Sequence, residues 1–140
     1  MKAIKRARLW FAAGAVAMTM AALGTDPAYA AVPIGQPVSG TATWYNDAGY
    51  GACGTPIDAS SQILVAVSPS YWTSANPNLD PLCSGISVQV SYNGRTITVP
   101  VRDKCWSCAP GHIDLSAPAF RSLAAPDLGV IPVTWKFVRS

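Results

Sequence analysis

The chain has 140 residues, 12% of them charged, with ten Lys and Arg against seven acidic residues and a formal net charge of +3. That length suits one small domain. Four of the ten bases (Lys2, Lys5, Arg6, Arg8) and one of the seven acids (Asp26) lie before residue 31. Residues 31–140 therefore carry six of each, which gives no support to a nucleic-acid or anionic-membrane partner, since either needs a basic patch.

The opening segment reads as an export tag. A basic start is followed by an apolar stretch from Leu9 to Leu23 and by Ala28-Tyr29-Ala30, a small-x-small cleavage signature. The apolar stretch is short for a membrane span, and no Arg-Arg pair occurs, so the general secretion route is expected. Residues 1–30 are read as a secretory signal peptide cleaved after Ala30, leaving a secreted, monomeric domain. A core of that size gains from covalent staples.

Residues 31–39 contain Pro and Gly and are expected to be a flexible lead-in. Gly40 to Tyr45 reads as a first strand, and Asn46 to Gly54 as a glycine-rich loop. Ile63 to Val67 is a continuous apolar run, which suits a strand buried on both faces. Residues 70–85 form a long polar loop holding Tyr71, Trp72 and Asn76, with Cys83 placed to pin it. The clearest local signal is the alternation in Ile86–Tyr92, the Asn93-Gly94 turn and the returning alternation in Arg95–Val101. A two-residue turn sets Val90 opposite Ile97, Val88 opposite Val99 and Ile86 opposite Val101. Pro100 marks an edge or a bulge. Ser116 is a candidate N-cap of a short helix with Pro118 in its first turn and Pro126 as its stop. Val133 to Phe137 alternates again. About six strands and a helical turn read as a small closed or half-closed β-barrel.

The four cysteines are Cys53, Cys83, Cys105 and Cys108. In an exported chain an even count reads as disulfides. Three pairings are possible, and Cys53–Cys83 with Cys105–Cys108 is favoured. The first would close a loop of about thirty residues and contribute roughly 3–4 kcal/mol. Cys105-x2-Cys108 with His112 and Asp114 also has the look of a zinc site. However, the other cysteines are thirty residues apart, and His112 is the chain's one histidine. Structural zinc wants a second close pair. No βαβ pattern supports a thioredoxin-like redox role. No metal and no cofactor are expected, and His112 reads as a partly exposed, non-catalytic histidine.

Several segments together resemble one superfamily. They are Gly40–Tyr45, Gly51-Ala52-Cys53-Gly54, Val101-Arg102-Asp103-Lys104-Cys105-x2-Cys108, His112-Ile113-Asp114-Leu115-Ser116 and Gly129–Trp135. The set is similar to the double-psi β-barrel superfamily of expansins, barwin-like proteins and bacterial RlpA-like domains. It covers nearly all of residues 40–138. The resemblance implies a mainly β, six-stranded double-psi β-barrel over 40–140, with one or two short helices and two disulfides.

Within the superfamily the chain is most similar to its small secreted, protease-inhibiting members. That similarity rests on TATWYNDAGYGACGT, YNGRT, VRDKC and HIDLS. It implies an inhibitor of papain-type cysteine proteases and of some serine proteases rather than an enzyme. Two loops are candidates for the inhibitory contact: 46–58 with Tyr50, and 70–83 with Tyr71, Trp72 and Asn76. Trp106 is a further candidate; Trp44 and Trp135 read as core, and Trp72 has an equal claim to covering the barrel mouth. Tyr and Trp make good interface anchors.

The alternative implied by the superfamily is action on, or binding of, cell-wall polysaccharide. Asp114 and Asp103 would then be the catalytic pair, with Thr43 and Tyr45 as groove neighbours. One carboxylic acid of raised pKa could protonate a glycosidic oxygen in a lytic reaction, whereas ordinary hydrolysis wants two carboxylates about the bond. Structural roles compete with this. Asp114 could bond amides at the helix start, and Asp103 could pair with Arg102, Lys104 or Arg121.

Overall fold

Alternating apolar and polar side chains give each long strand one face for the interior, and the strands wrap around that interior until no edge is left. The computed structural model describes residues 32–140. The expected signal peptide and its cleavage point lie outside the described residues. β1 (Val38–Tyr45), β4 (Val65–Val67), β5 (Ile86–Tyr92), β6 (Arg95–Lys104), β7 (His112–Ser116) and β8 (Ile131–Arg139) close a barrel in the order β1-β7-β4-β6-β5-β8. The β1–β7 and β4–β6 pairings are parallel, and the others are antiparallel. β2 (Ala48–Tyr50) and β3 (Pro56–Asp58) form a separate ribbon. Helix α1 spans Ala117–Arg121. The disulfides are Cys53–Cys83 and Cys105–Cys108, with Cα separations of 5.6 and 5.4 Å. The expected mainly β, six-stranded barrel with two staples is therefore the observed architecture.

The interior is filled by Val88, Val90, Val99, Ile113, Leu115, Phe120, Trp135 and Phe137, all fully or almost fully buried. Each such side chain contributes roughly 1.5–3 kcal/mol relative to exposure. Trp135 and Phe137 meet edge to face at 5.1 Å, and the partly buried Tyr71 ring packs edge-on against both, at 5.9 and 5.0 Å. Trp44 is half-buried, with its indole N–H donating to the Pro126 carbonyl.

The hairpin follows the alternation. Asn93 (φ 48°) and Gly94 (φ 86°) take the left-handed conformations of a type I′ turn. Val90 pairs with Ile97 and Val88 with Val99. The ladder stops at Ser87 opposite Pro100, so Ile86 and Val101 are not a ladder pair. Pro100 has no amide to give, and β6 bulges just beyond it: β4 pairs Val65 with Val101 and then Ala66 with Asp103, skipping Arg102.

Five readings need correction. The lead-in is not loose over its described part: Val32 is buried, Ile34 bridges to Phe137, and the Gly35 amide bonds the Phe137 carbonyl. The apolar run pairs only from Val65, leaving Ile63 exposed. Residues 112–116 form a strand where only a motif was read. Finally, Ser116 occupies the N-cap position without capping, because its hydroxyl accepts the Leu64 amide instead. The helix ends well before Pro126, which opens a separate 3₁₀ turn.

Candidate functional site

The strand registers bring together residues far apart in sequence. Parallel pairing sets Thr41 beside His112 and Thr43 beside Asp114. β4 then sets Ala66 beside Asp114 on one side and beside Asp103 on the other. Thr43, Asp114, Ala66 and Asp103 thus form one row across four strands. With strands roughly 4.8 Å apart, the two aspartates stand about 10 Å apart at the backbone. The small Ala66 lies between them.

Hydrogen bonds order this row. The Thr43 hydroxyl donates to Asp114 Oδ1 at 3.0 Å and lies 2.8 Å from His112 Nε2. A hydroxyl has one proton to give, so His112 Nε2–H must be the donor to Thr43. In the neutral imidazole Nδ1 is then an acceptor, and the Thr41 hydroxyl, 2.6 Å away, donates to it. Burial pushes the Asp114 carboxyl above the usual carboxylate range. The Thr43 bond pulls against that, as does His112 whenever it is protonated, while Asp47 and Asp103 add to it.

Asp103 is held differently. Its Oδ2 accepts from the Tyr45 hydroxyl at 2.9 Å, and its Oδ1 from the amides of Ala52 and Lys104 at 3.1 and 2.9 Å. Burial first, and the Asp103 charge second, push the Tyr45 phenol far up, so it stays protonated. Tyr45, Asp47, Tyr50, Ile57 and Asp103 border a cavity of about 310 Å³. Both oxygens of Asp103 are engaged, so Asp114 is the carboxyl suited to carry and release a proton. The partners of both residues differ from those expected for a structural role. Asp114 bonds Thr43 rather than helix amides, and Asp103 takes a phenol and two amides rather than the side chains of Arg102, Lys104 or Arg121. The Arg102 guanidinium bonds Thr55 instead.

The loops at this end of the barrel are stitched together. Cys53–Cys83 joins the 46–58 loop to the 70–83 loop. Asp80 is completely buried, and its carboxylate accepts the amides of Thr73, Ser74 and Leu82 at 2.7, 2.8 and 3.0 Å. Among the candidate contact residues, Tyr50 is 79% exposed and Trp106 77%. Lys104 Nζ sits 4.3 Å from the centre of the Trp106 ring and 5.5 Å from that of Trp72, fixing the exposed indole by cation–π contact. Asn76 is exposed, but its side chain caps the turn Pro77–Leu79 by accepting the Asn78 amide.

Two candidates are turned against the core. Trp72 is only 9% exposed. Tyr71 lies against Trp135 and Phe137 and donates its hydroxyl to the Pro110 carbonyl, and burial raises its phenol pKa.

Sequence reasoning missed Asp80, Lys104 and Leu79, which is 76% exposed. Asn76-Pro77 and Asp80-Pro81 carried a usable signal, a capping side chain followed by proline, and each opens a 3₁₀ turn. All four cysteines are oxidised, which removes them as thiolate ligands for a metal.

Residues 37–135 match the family model described as lytic transglycolase, a double-psi β-barrel. The chain is 59% identical over 137 residues to the papain inhibitor of Streptomyces mobaraensis, covering 97% of this chain and 96% of that one. The solved structure of a Streptomyces papain inhibitor superposes with a TM-score of 0.76 at 66% identity, over 77% of this chain and 99% of that one. A Clavibacter michiganensis expansin in complex with cellohexaose superposes with a TM-score of 0.61 at 31% identity. That match covers 74% of this chain and 51% of the expansin, so it reaches about half of the longer protein.

Proposed function

The chain belongs to the double-psi β-barrel family described as lytic transglycolase, and from that premise we propose that it is a secreted inhibitor of papain-like cysteine proteases, with some serine proteases as further targets. One observation carries this reading: 59% identity along nearly the whole length of a protein named for inhibiting papain. The geometry supports it. Exposed aromatic side chains stand on loops fixed by two disulfides and a buried carboxylate. A surface ordered in advance pays little conformational entropy on binding. Tyr50 and Trp106 are the proposed contacts, with Asn76 at the rim, and no residue of the chain is asked to perform catalysis.

The test is a titration of recombinant residues 31–140, dialysed free of small molecules, against papain with a fluorogenic peptide. Stoichiometric loss of protease activity, absent from the dialysate, is the expected result. Full papain activity at micromolar protein would overturn the reading.

The row Thr43–Asp114–Ala66–Asp103 favours a second reading, in which the groove takes a polysaccharide. Asp114 would supply the proton, with Asp103, Tyr45 and Thr43 positioning the sugar. Binding to insoluble cell-wall polymer, lost in Asp114→Asn, would support it.

A further inference from the structure

We propose that Tyr50 is the side chain this protein inserts into the substrate cleft of a papain-like protease, and that the backbone immediately after it is locked against cleavage. This rests on the inhibitor reading above. Proteases receive substrates as extended strands whose side chains enter pockets. β2 offers that form: Ala48, Gly49 and Tyr50 are extended and all exposed. No charged side chain occurs from Ala48 to Ile57. Trp106 is less suited, because it sits in a turn and Lys104 stacks on its ring.

The next peptide is withheld. The Gly51 amide donates to the Thr55 carbonyl at 3.0 Å, and the Gly51 carbonyl accepts from Gly54 at 2.9 Å. The backbone presses on β6 so closely that a Cβ on Gly51 would lie 2.4 Å from the Arg102 carbonyl oxygen. The Ala52 amide is bound by Asp103, whose other oxygen is held by Tyr45. Cys53 then ties the segment to Cys83. Attack on Gly51–Ala52 requires its carbonyl to turn towards the protease's oxyanion donors. Here that carbonyl is already bonded internally, and the peptide is wedged against a strand. The side chain can be gripped while the bond cannot be presented.

Two measurements test this. In the papain titration, Tyr50→Ala should weaken inhibition at least about 30-fold, the loss typical of a hot-spot anchor, while the conservative Tyr50→Phe and, outside the proposed contacts, the exposed Val130→Ala stay within a few-fold of the parent. Equal inhibition by the parent and Tyr50→Ala would overturn the proposal while leaving the inhibitor reading intact. A parent that does not inhibit would overturn both. Separately, Asp103→Ala, with its fold checked by circular dichroism, is incubated with papain and analysed by mass spectrometry. Hydrolysis at Tyr50–Gly51 or Gly51–Ala52, adding one water, is expected in this variant and not in the parent. A variant that stays intact, or is cut only elsewhere, would overturn the lock. If Asp103→Ala does not fold, the paired Cys53→Ser and Cys83→Ser variant is read in the same way.

Discussion

The Thr43 hydroxyl donates its one hydrogen bond to Asp114, 3.0 Å away, and this sets the direction of the bonds that run back through His112 to Thr41. The acid it serves is half-buried and holds its proton to higher pH than a free carboxyl. Because its folded pKa lies above the unfolded one, the native state binds more protons in the window between them. Stability therefore falls as pH rises through that window. Asp114→Asn keeps an acceptor for Thr43 and removes the charge. The variant should melt at or above the parent temperature at pH 7, with the difference shrinking as pH falls below the ordinary aspartate range. Thermal melts at a series of pH values check this.

The two disulfides should differ in weight. Cys53–Cys83 spans a sequence separation of 30, so replacing both cysteines by Ser should cost about 3–4 kcal/mol. Cys105–Cys108 spans 3, and its loss should cost about 2 kcal/mol or less while loosening the Trp106 turn. Denaturant midpoints of the two double variants give the comparison.

Asp80 organises the loop from its centre. Asp80→Ala leaves the amides of Thr73, Ser74 and Leu82 without their acceptor, and should cost about 2–4 kcal/mol. Amide exchange of those three positions, measured beside the global unfolding energy, would locate the loss.

Gly40 and Gly111 make a paired steric test. A Cβ on Gly40 would lie 1.8 Å from the Gly111 carbonyl oxygen, whereas a Cβ on Gly111 meets nothing closer than 3.8 Å. Gly40→Ala should cost about 3 kcal/mol through forced backbone displacement, and Gly111→Ala less than about 1 kcal/mol. Urea unfolding of each variant settles the asymmetry.

The parts legible in the sequence are those written in local patterns. The β5–β6 hairpin announces itself through alternation and Asn93-Gly94, and the staples through cysteine count and compartment. The groove is legible only through family resemblance. Thr43 and Asp114 are 71 residues apart, and their meeting depends on a parallel pairing that no local period encodes. β7 was hidden because five residues with two apolar positions give too short an alternation to stand out beside the His112-x-Asp114 motif. Tyr71 and Trp72 look alike as loop aromatics. That both turn inward follows from the neighbouring Trp135, Phe137 and Lys104, not from their own segment.

The barrel closes by joining its first strand to its last two. β1 finds its neighbours only in β7 and β8, so nothing can satisfy its backbone until residues 112–139 have been made. Such long-range pairing slows folding. A chain emerging from the ribosome can form the local β5–β6 hairpin early, but leaves β1 unpaired until synthesis is almost finished. Closure is thereby deferred to the end of synthesis, and a chain truncated before Ile131 keeps one edge of β1 open.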